Sequence, residues 1–110
     1  MVQKILFVCL GNICRSPAAE AVFNQKIKDR DLEKLFVVDS AGTGGWHVGN
    51  LADRRMREAA LSRGIEITSK SRQIDQNDLY EFDHILVMDK DNLNAVKSLI
   101  KDDIHSINSK

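Results

Sequence analysis

Apolar residues in this chain fall into short continuous runs separated by longer stretches of helical spacing. Ile5-Leu6-Phe7-Val8 after Lys4, Phe36-Val37-Val38, and Ile85-Leu86-Val87-Met88 after His84 are the runs. Unbroken apolar runs this short mark strands covered on both faces, not half-exposed ones. Ala18, Ala19, Val22, Phe23 and Ile27 recur at helical spacing after the first run. There Ser16 reads as an N-cap and Pro17 as the first helical residue. Met56, Ala59 and Ala60 predict a second helix over residues 51–63, stopped by Gly64. Ile65 and Ile67 would anchor its exit in the core. The charged residues 28–34 read as a helix end and connection, and residues 69–78 as a polar loop with a short helical turn. Asp89 caps a last helix through Leu93, Val96 and Ile100.

Strands alternating with helices predict an α/β fold: a parallel sheet in a three-layer α/β/α arrangement with right-handed crossovers. Ligands in such sheets bind beyond the strands' carboxyl ends. Cys9, Ser40 and Asp89 all stand at such ends and are expected to converge. The 110 residues suffice for one domain over 1–110, with a core that has little to spare. Formal charge sums to zero, and neither a basic patch nor a basic amphipathic helix appears, which argues against a nucleic-acid or membrane-surface partner. No apolar run approaches a membrane span and the N-terminus has no signal-like apolar core. Two cysteines five residues apart do not form a secreted disulfide framework, so a cytoplasmic setting is expected.

The chemistry concentrates in Cys9-Leu10-Gly11-Asn12-Ile13-Cys14-Arg15-Ser16. A buried strand, a tight loop and a helix N-terminus in succession make an anion site of peptide dipoles. Cys9 at the loop entrance lies where oriented N–H groups, the helix dipole and Arg15 favour the thiolate. Arg15 can fork onto two phosphate oxygens. A nucleophile and a bidentate cation around one oxyanion pocket suit phosphoryl transfer through sulfur. Asn12 is expected in a left-handed conformation. The glycines of residues 42–45 lack the G-x-G-x-x-G spacing of a dinucleotide loop and instead allow a close approach to the site. His47, His84 and His105 have no metal-ligand spacing, so neither metal nor cofactor is implied.

Residues 9–16, followed by Pro17-Ala18-Ala19-Glu20, resemble the signature loop of the low-molecular-weight protein tyrosine phosphatases. Asp39-Ser40-Ala41-Gly42-Thr43, Trp46-His47-Val48-Gly49, Ser71-Arg72-Gln73 and residues 82–89 resemble that family in the same order. The resemblance implies phosphotyrosine or aryl phosphate hydrolysis by Cys9, with the phosphate held by Arg15 and the N–H groups of residues 10–15. It also implies that Ser16, Ser40 and Asp89 support the loop and that Trp46 walls the substrate cleft. Cys14 is either an inert buried thiol or, by the resemblance, the partner of Cys9 in a reversible protective disulfide.

The sequence departs from the family in two places. Pro17 is its only proline, so the Asp-Pro pair whose aspartate protonates the leaving phenolate is lacking. The family's last strand and helix are expected to be missing too, leaving the third strand as an exposed edge prone to self-association. Asp102 and Asp103 are the only acids near the end. A family histidine that braces Asn12 is replaced near that place by Ser69, which predicts a weakened brace. Two further readings follow: a phosphate-binding module without turnover, and arsenate reduction. The latter needs resolving cysteines, for which Cys14 is the only candidate.

Overall fold

The computed structural model describes residues 2–12, 15–45 and 47–108, with side chains up to residue 99. Three parallel strands, β1 (Gln3–Cys9), β2 (Phe36–Gly42) and β3 (His84–Val87), form a sheet in the order β2-β1-β3. Helix α1 (Arg15–Asp29) connects β1 to β2; α2 (Arg54–Leu61) and α3 (Gln76–Glu81) precede β3, and α4 (Lys90–Asn108) follows it. Alternate residues of β1 serve two layers. Phe7 meets Phe23 of α1, which meets Phe36 of β2, both at 5.9 Å between ring centroids. Leu6 and Val8 are fully buried on the other face with Ala41, Ile74 and Val96, flanked by Leu79 and Phe82. The helices thus lie on both faces, as the alternation predicts.

Three local readings are corrected. Helix α1 starts at Arg15, so Ser16 is a buried helical residue and not its cap. Pro17 is the third helical residue, where a missing N–H still costs no intrahelical bond. Helix α2 starts three residues late because Asp53 caps it, accepting from Met56 N–H at 3.2 Å; Leu51 instead bridges Lys70. Gly64, at φ +79°, ends that stretch as predicted: its N–H donates to Leu61 and Ile65 N–H to Ala60, a Schellman closure. The stretch at residues 69–78 is, as predicted, a loop that runs into a short helix, but part of it is buried. Ser71, Ile74 and Asp78 are buried, and Asp75 and Asp78 form a capping box that opens α3. Finally, β2 and β3 are edge strands, so Val37 and Leu86 are nearly half exposed where continuous apolar runs predict burial.

Candidate active site

Cys9 ends the central strand and is 4% exposed. Beyond it the backbone turns tightly, and its carbonyls are held from outside. Those of Cys9 and Leu10 accept from Thr43 N–H (2.9 Å) and Gly44 N–H (2.8 Å), and that of Gly11 accepts from Ser71 Oγ (2.8 Å). In a trans peptide the N–H points opposite to the C=O. The N–H groups of Leu10, Gly11 and Asn12 therefore face the other side of the loop, as an anion cradle requires. Residues 42–44 come this close because Gly42 has no side chain: a Cβ there would lie 2.8 Å from Leu10 O and 3.0 Å from Asn12 N.

Asn12 adopts the expected left-handed conformation, φ +56°, and is 2% exposed. Both ends of its amide are bonded. Oδ1 accepts from Arg72 N–H at 2.9 Å, which fixes the amide's orientation, and Nδ2 donates to Ser16 Oγ at 2.8 Å. The Ser16 hydroxyl lies 2.9 Å from Cys9 Sγ and 3.5 Å from Ala41 O. With Asn12 already donating to it, its one proton can turn to the sulfur or to Ala41 O. With the proton turned to the sulfur, the hydrogen bonds run from Asn12 through Ser16 to Cys9. The weakened brace expected at Asn12 is thus corrected: the backbone of Arg72 supplies it without Ser69.

Arg15 opens α1 beside the cradle. Its Nη2 donates to Asp89 Oδ2 at 3.0 Å, with both side chains about half exposed. Asp89 is also the cap of α4, accepting from Asn92 N–H at 2.9 Å. These bonds, the backbone one first, hold its carboxyl below the usual range. Asp89 thus caps α4, as predicted, and pairs with Arg15. Ser40 does not support the loop: its Oγ donates to Glu20 Oε1 at 2.6 Å and ties β2 to α1. Burial pushes the Glu20 carboxyl up, against the Ser40 bond. Of the three strand-end residues, Cys9 and Asp89 converge through α1, and Ser40 stands apart. Ile13, Cys14 and Trp46 lie outside the described residues, as do the side chains of Asp102, Asp103 and His105.

The family model for low molecular weight phosphotyrosine protein phosphatases matches residues 4–109. The chain belongs to that family. It is 53% identical over 90 residues to the putative low molecular weight protein-tyrosine-phosphatase of Synechocystis, covering 82% of this chain and 57% of that one. The crystal structure of YfkJ from Bacillus subtilis superposes with a TM-score of 0.88 at 42% identity, over 90% of this chain and 63% of that one. The protein tyrosine phosphatase of Entamoeba histolytica, with Hepes in its active site, gives 0.85 at 48% identity, over 87% and 62%. The chain thus spans about three-fifths of the length of these family members.

Sequence reasoning missed the side chain of Arg72, which sits behind this family's signature loop. Its Nη1 and Nη2 fork onto the two oxygens of Asp78 at 3.0 Å each, and Nε reaches Asp39 Oδ2 at 3.1 Å. These carboxylates raise its already high pKa further, against burial. The Asp75–Asp78 spacing ahead of Leu79 was the legible signal, since it marks a helix start.

Proposed function

We propose that this chain hydrolyses aryl phosphates, phosphotyrosine in proteins among them, through a cysteinyl-phosphate intermediate. The observation that carries this reading is the buried Asn12–Ser16–Cys9 hydrogen-bond chain, set at the start of a loop whose N–H groups face away from its braced carbonyls. Cys9 attacks phosphorus in line, the P–O bond to the phenol breaks, and the phenolate leaves. Water then cleaves the S–P bond and releases phosphate. Arg15 meets Asp89 through one Nη2 contact, and once that contact is shared or released an edge of the guanidinium, Nε with Nη2 or Nη1 with Nη2, can fork onto two equatorial oxygens. The names of its relatives support the reading. Trp46 as a wall of the cleft, a reversible Cys9–Cys14 disulfide and a cytoplasmic setting belong to it. So does self-association along β3, an edge strand with Leu86 exposed. No described helix is long and apolar enough to cross a membrane.

The 110 residues contain no Asp-Pro pair, and a positioned general acid is worth about 10²–10⁴ in rate. A p-nitrophenolate departs unaided, whereas the phenolate of tyrosine, with pKa about 10, needs a proton. This chain should therefore hydrolyse p-nitrophenyl phosphate slowly and phosphotyrosine peptides far more slowly. A rate independent of leaving-group pKa would show that Asp89, Asp102, Asp103 or another group supplies the proton. Cys9→Ser should abolish turnover and keep vanadate binding, and phosphate should protect Cys9 from iodoacetate. Alkylation indifferent to phosphate removes Cys9 as the nucleophile. A second reading is phosphotyrosine binding without turnover by these 110 residues. Calorimetric titration with phosphotyrosine peptides beside the rate assay separates the two.

A further inference from the structure

Asn12 is a non-glycine residue in the left-handed region, at φ +56°, and both ends of its amide are anchored there. One of its two anchors is a side chain of the same loop–helix unit, Ser16. The other comes from sixty residues away and is a backbone group, the N–H of Arg72. A backbone donor is only as well placed as the segment that carries it. That segment has four backbone ties: Gly49 N–H to Ser71 O, Ser71 N–H to Asn50 O, and the pair Gly42 N–H to Arg72 O and Ile74 N–H to Gly42 O, which bridges it to the end of β2. Two of them lead to residues 49–50, which are themselves loop. Beside that backbone bridge, the side-chain tie is the guanidinium, forked onto Asp78, whose side chain is 5% exposed and also accepts from Asp75 N–H. A forked pair fixes the plane and direction of the arginine side chain, not merely its distance. Asp39 then fastens the same guanidinium to β2.

We infer that Arg72 is a positioning residue of the Cys9 site: clamped by Asp78 and Asp39, it presses its own backbone N–H onto Asn12 and so aims the Asn12–Ser16–Cys9 relay. Through this clamp the capping box of α3 and the edge strand β2 both bear on the direction of one hydroxyl proton. The charge of the clamp faces the α3 side of the sheet, where Asp39 points, and Cys9 faces the α1 side. Arg72 therefore acts on the sulfur through hydrogen-bond geometry and not as a second phosphate ligand. The inference rests on Cys9 being the nucleophile.

The test uses the full 110-residue chain and the variants Asp78→Asn, Asp39→Asn, Arg72→Lys and Arg72→Met, each confirmed as folded by circular dichroism. Two readouts are taken: kcat and KM for p-nitrophenyl phosphate, and the pH profile of Cys9 alkylation by iodoacetate, followed by mass spectrometry. Asp78→Asn should lower kcat about tenfold or more with KM changed less than about threefold, since the interaction lost is one of alignment. Its alkylation profile should move to higher pH. Arg72→Lys should recover part of what Arg72→Met loses, and Asp39→Asn should show the smallest change. A folded Asp78→Asn with the parent kcat and alkylation profile overturns the inference. If Asp78→Asn does not fold, Arg72→Lys and Asp39→Asn decide it by the same readouts. If the parent chain turns over no aryl phosphate, the phosphatase reading fails, and the alkylation profiles still decide whether Arg72 positions the thiol.

Discussion

Arg15 and Arg72 flank the same loop in opposite physical circumstances. Arg15 is half exposed and holds one half-exposed carboxylate through a single nitrogen. Such a pair is screened by water and costs little to open. Arg72 is two-thirds covered and uses all three guanidinium nitrogens on two carboxylates, one of them nearly inaccessible. Opening that cluster would leave Asp78 charged and buried. The two sites teach that a residue's chemistry is set by what it must give up to act. Arg15 can leave or share its partner and so can meet a substrate, whereas Arg72 can only hold.

The largest expected contrast comes from Arg15→Lys. Loss of the fork should cut turnover of p-nitrophenyl phosphate about 10²–10³-fold, as for other oxyanion donors, and weaken phosphate binding. The urea midpoint should stay at that of the parent chain, and a large shift in it would erase the distinction between the two arginines. Arg72→Met should do the reverse to stability. Leaving Asp78 buried without its partner should cost about 3 kcal/mol of unfolding free energy, read by urea denaturation at pH 7. A loss under about 0.5 kcal/mol would place Arg72 among ordinary surface ion pairs.

Gly42 sharpens the same comparison from beneath the loop, since its N–H holds the Arg72 carbonyl. Gly42→Ala would force a methyl against backbone of Leu10, Gly11 and Asn12, which should cost about 1–3 kcal/mol. Phosphate affinity should fall with stability, because the atoms that must move belong to the cradle. Unchanged affinity in a destabilised variant would mean the strain relaxes away from the loop.

The smallest effect should come from the opposite face of β2. Asp39 and Ser40 are adjacent and point to opposite layers, one to Arg72 and the other to Glu20. Burial raises the Glu20 pKa above its ordinary 4.5, so the folded state binds its proton more tightly than the unfolded chain. The stability this contributes is complete below pH 4.5 and is lost as pH rises through the folded value. Glu20→Gln keeps an acceptor for Ser40 and removes the titration. It should raise the melting temperature relative to the parent at pH 7 more than at pH 4. An equal difference at both pH values would show that Glu20 does not titrate abnormally.

The sequence by itself determined the elements that depend on near neighbours. Continuous apolar runs placed the three strands, helical spacing placed α1, α2 and α4, and Gly64 and Asp89 marked a stop and a start. Spacing within Cys9 to Ser16 also marked this loop as the candidate site, since strand, turn, arginine and helix lie within one continuous segment. What failed locally failed for a tertiary reason. Ser16 reads as a cap because a serine before proline favours one, but Cys9, Asn12 and Ala41 compete for its hydroxyl and win. Only the tertiary structure could bring Arg72 to Asn12 across sixty residues, or turn Ser40 toward Glu20. Partners so distant leave no periodic trace in the chain, because their pairing is fixed by how the sheet and its two helical layers pack.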